Sequence, residues 1–335
     1  MTGRWRAAGL AAAIVAGVGS IAMLAAGANP IDGFAQLFGG ALGDVDELAE
    51  TLVQTTALLF PALGVAIAFR AGLFNIGAEG QLVMGGLAAG SIGAVLTLPG
   101  YVSIPLLLMA GALAGGGWGA FAGFLRARFA ANEVITTLML NVVATLFASY
   151  LVGGPLKSPA ATASETAILP HASWLPELVR DTRLTLALPI ALLVALGLRY
   201  LLDRTVFGYE LRAVGEAPKA ARRAGIAPGR IAIAALGLSG AIAGMGGATI
   251  VLGILHRFNV ALSPGYGFIA IAVALVGNCD PIAIVAAAFA FGILQNGALA
   301  MQAGAGVPRD IVAVVEGLVI FVLAGRQYLT RTVAQ

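Results

Sequence analysis

Long apolar runs, separated by short polar intervals, follow one another along the whole chain. The first lies at residues 7–28 and the last at 308–325. A helix needs about 20 consecutive apolar residues to cross the hydrocarbon core of a bilayer. Helices and closed barrels are the structures that satisfy every backbone polar group in lipid. The chain is therefore predicted to be an all-α polytopic membrane protein.

Composition excludes a soluble globular domain. Charged residues make up 10% of the chain, hydrophobic residues 59%, and the mean hydropathy is +0.95, whereas a soluble domain has roughly 25% charged residues. The basic balance does not indicate nucleic-acid binding, because the few charges lie between apolar runs rather than on one face. Cys279 is the single cysteine, which excludes an internal disulfide and a cysteine-based metal cluster. No cofactor is expected.

Ten transmembrane helices are predicted. The first run follows Arg4 and Arg6 as in a secretory signal peptide, but its length of about 22 residues favours a retained helix. The eighth run is short for a full span and begins at Pro264 and Gly265. The predicted spans are 7–28, 51–69, 72–98, 103–125, 133–153, 184–202, 231–254, 265–278, 281–300 and 308–325.

The polar intervals at 29–50 and 154–183 are predicted to be loops, and the basic residues set their side of the membrane. Lys and Arg are enriched in cytoplasmic loops. With ten spans and both termini inside, 14 of the 19 Lys and Arg residues lie inside and 5 outside, and the opposite orientation inverts that ratio. Both termini are therefore predicted to be cytoplasmic, with the two polar intervals outside.

The two halves of the chain show a weak internal similarity. Pro105 begins a helix of small residues that leads to Asn132 and the fifth span, and Pro281 begins a similar helix that leads to Arg309 and the tenth. The offsets are 176 and 177 residues. Two inverted repeats of about five spans each are a common transporter plan. The alternative is coincidence in a chain rich in Ala, Gly and Val.

Polar side chains inside the apolar runs are candidates for a solute pathway. Asn75, Glu79 and Gln81 lie at the start of the third span, among glycines that permit a break in the helix. Ionisable groups within a membrane usually face a cavity or a partner. The alternative is a turn at the cytoplasmic interface, with Arg70 and Glu79 paired for packing.

Three further amides lie within spans. Asn141 is in the fifth span, two helical turns from Glu133, and Gln295 and Asn296 are in the ninth. Asn141 either binds a polar solute or joins a neighbouring helix by a hydrogen bond, and Gln295 and Asn296 are candidates for the solute pathway. Amides suit a neutral, hydroxyl-rich solute, and the scarcity of ionisable residues at mid-span argues against a proton relay.

A basic interval at 204–230 carries six Lys and Arg residues between the sixth and seventh spans. Alanines recur at helical spacing over 217–224, Pro218 fits the first turn, and Gly225 is placed to end the helix. The sequence contains no GxxxxGK[ST] phosphate loop and none of the common hydrolase motifs. If the protein is a pump, its energy comes from another chain, which would act on this short helix.

Several segments resemble the permease subunits of bacterial ABC importers for simple sugars, nucleosides and branched-chain amino acids. The most specific are FRAGLFNIGAEGQLVMGG at 69–86 and GYELRAVGEAPKAARRAGI at 208–226. The form FNIGAEGQ is similar to the nucleoside branch rather than the sugar branch. The remaining matches are NEVITTLMLN at 132–141, GFIAIAVALVGNCDPIAIVAAAFAFG at 267–292 and VPRDIVAVVEGLVIF at 307–321.

The resemblance implies one transmembrane permease domain over 1–335, with six spans in 7–203, a cytoplasmic coupling loop at 204–230 and four spans in 231–325. It also implies a complex in the lipid of a bacterial cytoplasmic membrane, with an ABC ATPase subunit, a second permease chain and an extracytoplasmic binding protein. The region from Glu216 to Gly225 resembles the coupling helix that docks on the ATPase. The residues expected to couple to the ATPase are Tyr209, Glu210, Arg212, Gly215, Glu216, Ala220, Ala221, Gly225 and Ile226.

Three classes of function remain open at this point. The first is an ABC importer permease, for a nucleoside or alternatively a simple sugar such as ribose. The second is a stand-alone secondary transporter, which would need ionisable residues at mid-membrane to bind its coupling ion. The third is a structural or assembly protein without a solute path. Uptake without ATP would favour the second class, and a fully packed dry interior the third.

Overall fold

The computed structural model describes residues 27–307 continuously, together with residues 17, 19–21, 23–25, 311, 314 and 317. The first and tenth predicted spans lie for the most part outside the described residues. The chain divides into two compact units, one formed by Met1–Thr55 with Phe289–Gln335 and the other by Thr56–Ala288. The single-domain organisation stays a prediction.

The described residues form helices and no β-strand longer than an isolated bridge. In chain order the helices are α1 (Pro30–Leu42), α2 (Val45–Arg70), α3 (Ala78–Gly93), α4 (Gly100–Phe129), α5 (Glu133–Gly153), α6 (Ala187–Arg204), α7 (Val206–Glu216), α8 (Pro218–Arg223), α9 (Pro228–Ile250), α10 (Tyr266–Val276) and α11 (Pro281–Ala305). A π-helical turn, Val251–Leu255, extends α9.

Five of these helices are long and apolar enough to cross a membrane. They are α2, α4, α5, α9 with its π-helical turn, and α11. This finding confirms an all-α polytopic membrane protein. The third predicted span is shorter than expected, because the chain is not helical before Ala78.

Glycines bring α4 and α9 into close contact. Gly111, Gly115, Gly119 and Gly123 recur every fourth residue on one face of α4, and a Cβ at Gly115 would clash with the carbonyl oxygen of Gly240 on α9. Helices in lipid gain little from apolar burial against each other, so close backbone approach is a main source of their association. α3 packs against both helices, which places its first turn inside this bundle.

The connection from α4 to α5 is fixed by a cap and an ion pair. The Asn132 side chain accepts hydrogen bonds from the amides of Val134 and Ile135, at 2.9 and 3.3 Å. Glu133 in the first turn of α5 pairs with Arg126 in the last turn of α4. Each charge lies where the dipole of its own helix favours it.

The prediction that 29–50 is a loop is wrong. Residues 30–42 form α1 and α2 begins at Val45. The Asn29 side chain accepts a hydrogen bond from the Ile31 amide at 3.0 Å, and Pro30 occupies the first helical position. Asn followed by Pro is a standard helix start, and the acidic residues of this interval obscured it.

The interval 154–183 is irregular, as predicted, apart from a short 3₁₀ turn at His171–Ser173. It is attached to the chain that follows α9. The Thr166 amide donates to the Phe258 carbonyl at 3.0 Å and the Leu169 amide to the His256 carbonyl at 2.8 Å. The Trp174 ring stacks on the His256 ring at 3.6 Å. These contacts give a polar segment a defined position at one end of the unit.

Candidate functional site

A break between α2 and α3 forms the centre of the site. Gly72 has a φ of +71°, which a side-chain-bearing residue rarely adopts, and the chain stays non-helical to Gly77. The Asn75 side chain is fully buried. It donates to Gln81 Oε1 at 2.9 Å and to Ser239 Oγ at 2.8 Å, and it accepts from Gln81 Nε2 at 3.3 Å. Asn75 and Gln81 therefore form a reciprocal amide pair across the break.

Asn141 of α5 joins the same break from the opposite side. Its Oδ1 accepts from the Gly80 amide and its Nδ2 donates to the Ile76 carbonyl, both at 2.8 Å. One turn earlier on α5, the Thr137 hydroxyl accepts from the Ile76 amide at 3.2 Å. Backbone polar groups that a continuous helix would pair with each other are thus paired by side chains. This is how a broken helix satisfies its backbone at membrane depth.

The break lies at mid-depth of the long helices. Asn141 is the ninth of 21 residues in α5, and Ser239 is the twelfth of 28 in the helix that ends at Leu255. Gln81 lies beside Gly115, the sixteenth of 30 residues in α4. The proposed alternative, a turn at the membrane interface, is therefore wrong. A start at the interface was inferred because Arg70 is close in sequence, but the seven residues after it enter the bundle.

Glu79 connects α3 to α10. Its Oε2 accepts from the Gly267 amide at 2.7 Å, and the Ser263 hydroxyl hydrogen-bonds to the same carboxylate. The predicted alternative pairing of Glu79 with Arg70 is wrong, because Arg70 Nε donates to the Cys279 carbonyl at 3.2 Å. Glu79 therefore caps the first turn of a neighbouring helix, and Arg70 binds the turn after the last residue of that helix.

The remaining two predicted pathway residues belong to the other compact unit. Asn296 is 4% exposed, and its Nδ2 lies within hydrogen-bonding distance of the Gly40 and Glu47 carbonyls at 3.0 Å and of Thr51 Oγ1 at 3.1 Å. Gln295 is also buried. Asn296 connects α11 to α1 and α2 within its unit, a joining role that was considered from the sequence for Asn141 and not for Asn296.

Sequence reasoning missed Ser239 and Thr137 as members of the site. Both are small hydroxyl residues in apolar helices, where most such side chains bond a carbonyl of their own helix. Nothing in their sequence context separates them from the others. Gly215, which lies in α7, was singled out only through the resemblance to the permease family.

The basic interval contains two helices rather than one. Thr205 caps the start of α7, and its side chain accepts from the Gly208 amide at 3.1 Å. Arg212 of α7 donates to the Leu202 carbonyl of α6. α8 covers Pro218–Arg223, and Gly225, with a φ of +86°, follows it. The predicted short helix with Pro218 in its first turn and Gly225 at its end is confirmed, within one residue at each end.

α7 packs against its neighbours through buried residues, whereas most residues of α8 are exposed. Leu211 and Val214 are buried, and a Cβ at Gly215 would clash with the Arg70 carbonyl at the end of α2. On α8, Ala221 is buried and Lys219 is exposed. Of the residues expected to couple to the ATPase, the exposed ones are Tyr209, Glu216, Ala220 and Gly225, the half-buried ones Glu210, Arg212, Gly215 and Ile226, and the buried one Ala221.

Bundled apolar helices around a break that side chains hold, together with the short basic helix α8, are the features of a polytopic membrane permease. Residues 47–324 match the family described as "Branched-chain amino acid transport system / permease component". The chain belongs to this family. It is the permease subunit of an ABC transporter and not an enzyme, since ATP hydrolysis belongs to a separate ATPase partner.

Curated relatives match over most of the chain. It is 36% identical over 318 residues to the guanosine ABC transporter permease protein NupP of Bacillus subtilis, covering 93% of this chain and 91% of that protein. It is 35% identical over 319 residues to the nucleoside ABC transporter permease protein NupB of Lactococcus lactis, covering 92% and 87%.

A third relative is named for a different substrate. The chain is 33% identical over 326 residues to the glucose ABC transporter permease protein TsgB13 of Haloferax volcanii, covering 94% of this chain and 85% of that protein. No solved structure matches the chain. An ATPase and a substrate-binding protein are the partners that a permease of this family has in general.

Proposed function

We propose that this chain is the permease of an ABC importer for nucleosides. The observation that carries the proposal is the similarity of more than 90% of the chain to two permeases named for guanosine and nucleoside transport. The chemistry of the site is compatible with it. The described side chains at the break are amides and hydroxyls with one carboxylate, Glu79, whose Oε2 is occupied by the Gly267 amide.

We propose that the amides of both units act on the pathway through the backbone they hold. Asn75, Gln81 and Asn141 pair with each other and with backbone groups, so they position the break rather than offering free groups to a solute. Glu79 fixes the start of α10 in the same way. Within their own unit, Gln295 and Asn296 are proposed to hold the ninth span.

Movement of the ATPase is proposed to reach the break through α7. The exposed helix α8 is joined by Ala217 to α7, whose Gly215 packs against the backbone of Arg70 and Gly72. Gly72 is three residues before Asn75. A displacement of α8 therefore has a short path through packed backbone to the amide pair at mid-membrane. Replacing Glu216 or Gly225 is expected to reduce transport and coupling while membrane insertion is retained.

The finer topology is also part of the proposal. We propose ten spans in two inverted repeats, both termini in the cytoplasm and a second permease chain beside this one. The Lys and Arg distribution supports the orientation, and the offsets of 176 and 177 residues support the repeats. In this arrangement α8 faces the ATPase, and the interval 154–183 faces the binding protein. The exposed apolar side chains of α5, such as Leu146 at 65%, would contact lipid or the second chain.

The test is uptake by the whole transporter in proteoliposomes, with the permease, its ATPase and its binding protein. Tritiated guanosine should accumulate with ATP, and it should not accumulate with a non-hydrolysable analogue or without the ATPase. A control vesicle without the permease sets the background. Guanosine uptake at that background, while another solute accumulates, would overturn the proposal.

A hexose is the second candidate, since TsgB13 is 33% identical over a comparable length. Competition in the same vesicles separates the two. An excess of unlabelled inosine should abolish guanosine uptake, and the same excess of glucose should leave it unchanged. Accumulation of labelled glucose, blocked by unlabelled glucose and not by inosine, would favour the sugar.

A further inference from the structure

The segment between α9 and α10 runs through the bundle without being helical. It covers residues 256–265 and contains one 3₁₀ turn, Val260–Leu262. The segment runs antiparallel to α3. Phe258 lies beside Gly90, Leu262 beside Gly86, and Gly267 at the start of α10 beside Glu79. Its path therefore follows α3 from its C-terminal end back to the break.

The depth of this path follows from the helix rise. Glu79 and Gly90 are eleven residues apart on α3, which corresponds to about 16 Å. α10 adds eleven residues, or about another 16 Å. It ends at the turn whose Cys279 carbonyl accepts from Arg70. Together the two parts span about the 30 Å of a hydrocarbon core, so the outer half of this crossing is irregular and the inner half is helical.

One side of this crossing is packed and the other is open. Phe258 and Leu262 are at most 3% exposed and belong to the core around α3. On the other side, Ala261 and Pro264 are exposed, and Phe268 is 42% exposed. Irregular backbone at membrane depth is not found against lipid. It occurs where protein buries it or where it lines a water-filled cavity.

An unsatisfied acceptor lies on the same segment. Asn259 Oδ1 is buried and has no hydrogen-bond partner among the described residues. A buried amide oxygen without a donor is uncommon and calls for an explanation. A water molecule, or an N–H or O–H group of a passing solute, would supply the missing donor, whereas lipid chains and apolar side chains carry no such group.

We propose that the open side of residues 259–268 contacts the solute during transport. Asn259 Oδ1 is buried beside the bridge to Glu165, and it accepts a hydrogen bond from an N–H or O–H group of the solute when the segment opens during transport. Pro264 and the ring of Phe268 offer flat apolar contacts nearer mid-depth. A neutral solute that combines a flat ring with hydroxyl and N–H donors fits both features. The nucleoside identity of that solute rests on the function proposed above, whereas the location of the contact rests on this segment alone.

Water access to the segment tests its location. Cys279→Ala removes the single cysteine, and Ala261→Cys or Phe268→Cys is then added in the complete transporter. A positively charged, water-soluble methanethiosulfonate should label both positions in vesicles, and excess guanosine should slow that labelling at least fivefold. The buried neighbour Leu262→Cys is the matched control and should stay unlabelled.

Two outcomes of the labelling experiment would overturn the proposal. Absence of labelling with and without ATP, while a membrane-permeant apolar reagent reacts, would show that lipid or another protein covers the segment. If a transporter that imports guanosine is labelled at full rate in excess guanosine, the segment is accessible to water but the solute does not contact it. If the unsubstituted transporter imports another solute, that solute replaces guanosine in the protection experiment. The location of the contact can then be tested even if the nucleoside assignment is wrong.

Substitution tests the contacts themselves. Asn259→Ala should lower guanosine uptake about tenfold at limiting concentration, the factor that one hydrogen bond of ordinary strength corresponds to. Phe268→Leu should raise the half-saturating concentration several-fold, with ATP hydrolysis retained. Phe121→Leu on α4 is the matched control, since its ring is similarly exposed, at 48%. Equal uptake by the Phe268 and Phe121 variants and by the unsubstituted protein would contradict the contact.

Discussion

Replacing Asn141 by leucine is expected to disable the break at mid-membrane. Leucine has the same branched shape and is somewhat larger, so the change removes two hydrogen bonds at 2.8 Å, to the Gly80 amide and the Ile76 carbonyl, without leaving a cavity. Hydrogen bonds between membrane helices average about 0.6 kcal/mol, with a maximum of about 1.7 kcal/mol. Two bonds therefore correspond to a loss of about 1–3 kcal/mol in the free energy of unfolding.

Function should be more sensitive than stability. The Gly80 amide and the Ile76 carbonyl are not paired within a helix. Without the Asn141 side chain, residues 76–80 can therefore leave the geometry that the Asn75–Gln81 pair requires. Uptake of guanosine should fall by at least tenfold, while the variant still inserts and binds the ATPase. The assays are unfolding of the purified protein in mixed micelles and ATP-driven uptake in vesicles.

A matched control lies one turn further along α5. The Thr145 hydroxyl donates to the Asn141 carbonyl of its own helix, at 3.1 Å, so Thr145→Val removes a polar group without freeing the break. This variant should lose only about 0.5 kcal/mol, the lower end of the range for one hydrogen bond, and keep its uptake. Equal stability and equal uptake for the Asn141 and Thr145 variants would refute the argument that side chains hold the break.

Three further predictions follow from single contacts. Gly115→Ala should lower thermal stability and yield, because its Cβ would clash with the Gly240 carbonyl, whereas Gly117→Ala should be tolerated, because nothing lies within 4 Å of the added atom; thermal unfolding in detergent measures both. Burial raises the pKa of the Cys279 thiol to about 11, although the charge of Arg70 lowers it in part. The rate of its alkylation, measured by mass spectrometry, should therefore still rise about tenfold per pH unit between pH 8 and 10. A rate that levels off near pH 9 would contradict this burial. Arg126→Ala should destabilise the protein by leaving the partly buried Glu133 carboxylate unpaired, and the double variant with Glu133→Gln should recover part of that loss; additive losses in denaturant titrations would show that the pair is not coupled.

Hydropathy was sufficient to place the long helices, because a bilayer imposes one length and one composition on every span. α4, α5 and α9 begin and end within about four residues of their predicted bounds. The same pattern failed for residues 72–77. This stretch is apolar enough to be drawn into the third predicted span, and its departure from helix depends on side chains more than 60 residues away, such as Asn141 on Ile76.

Local signals were informative only where a residue acts on its own neighbours. Pro218 and Gly225 delimit α8 through their own backbone preferences, and the prediction was accurate there. Glu79 was correctly singled out as an unusual carboxylate, but its partner Gly267 has no side chain that a sequence pattern could identify. Contacts between distant backbone groups leave no pattern in a single sequence, so the joining role of the amides became clear only from their distances.

The proposed transmission from the ATPase to the break is tested most directly by the number of ATP molecules hydrolysed per guanosine imported. In Gly215→Val the side chain would displace α7 from the Arg70 carbonyl, so hydrolysis should continue while the ratio rises at least tenfold. Gly197→Val on α6, where an added Cβ meets nothing within 4 Å, should keep the ratio of the unsubstituted transporter. An unchanged ratio in a folded Gly215→Val transporter would contradict the route through α7.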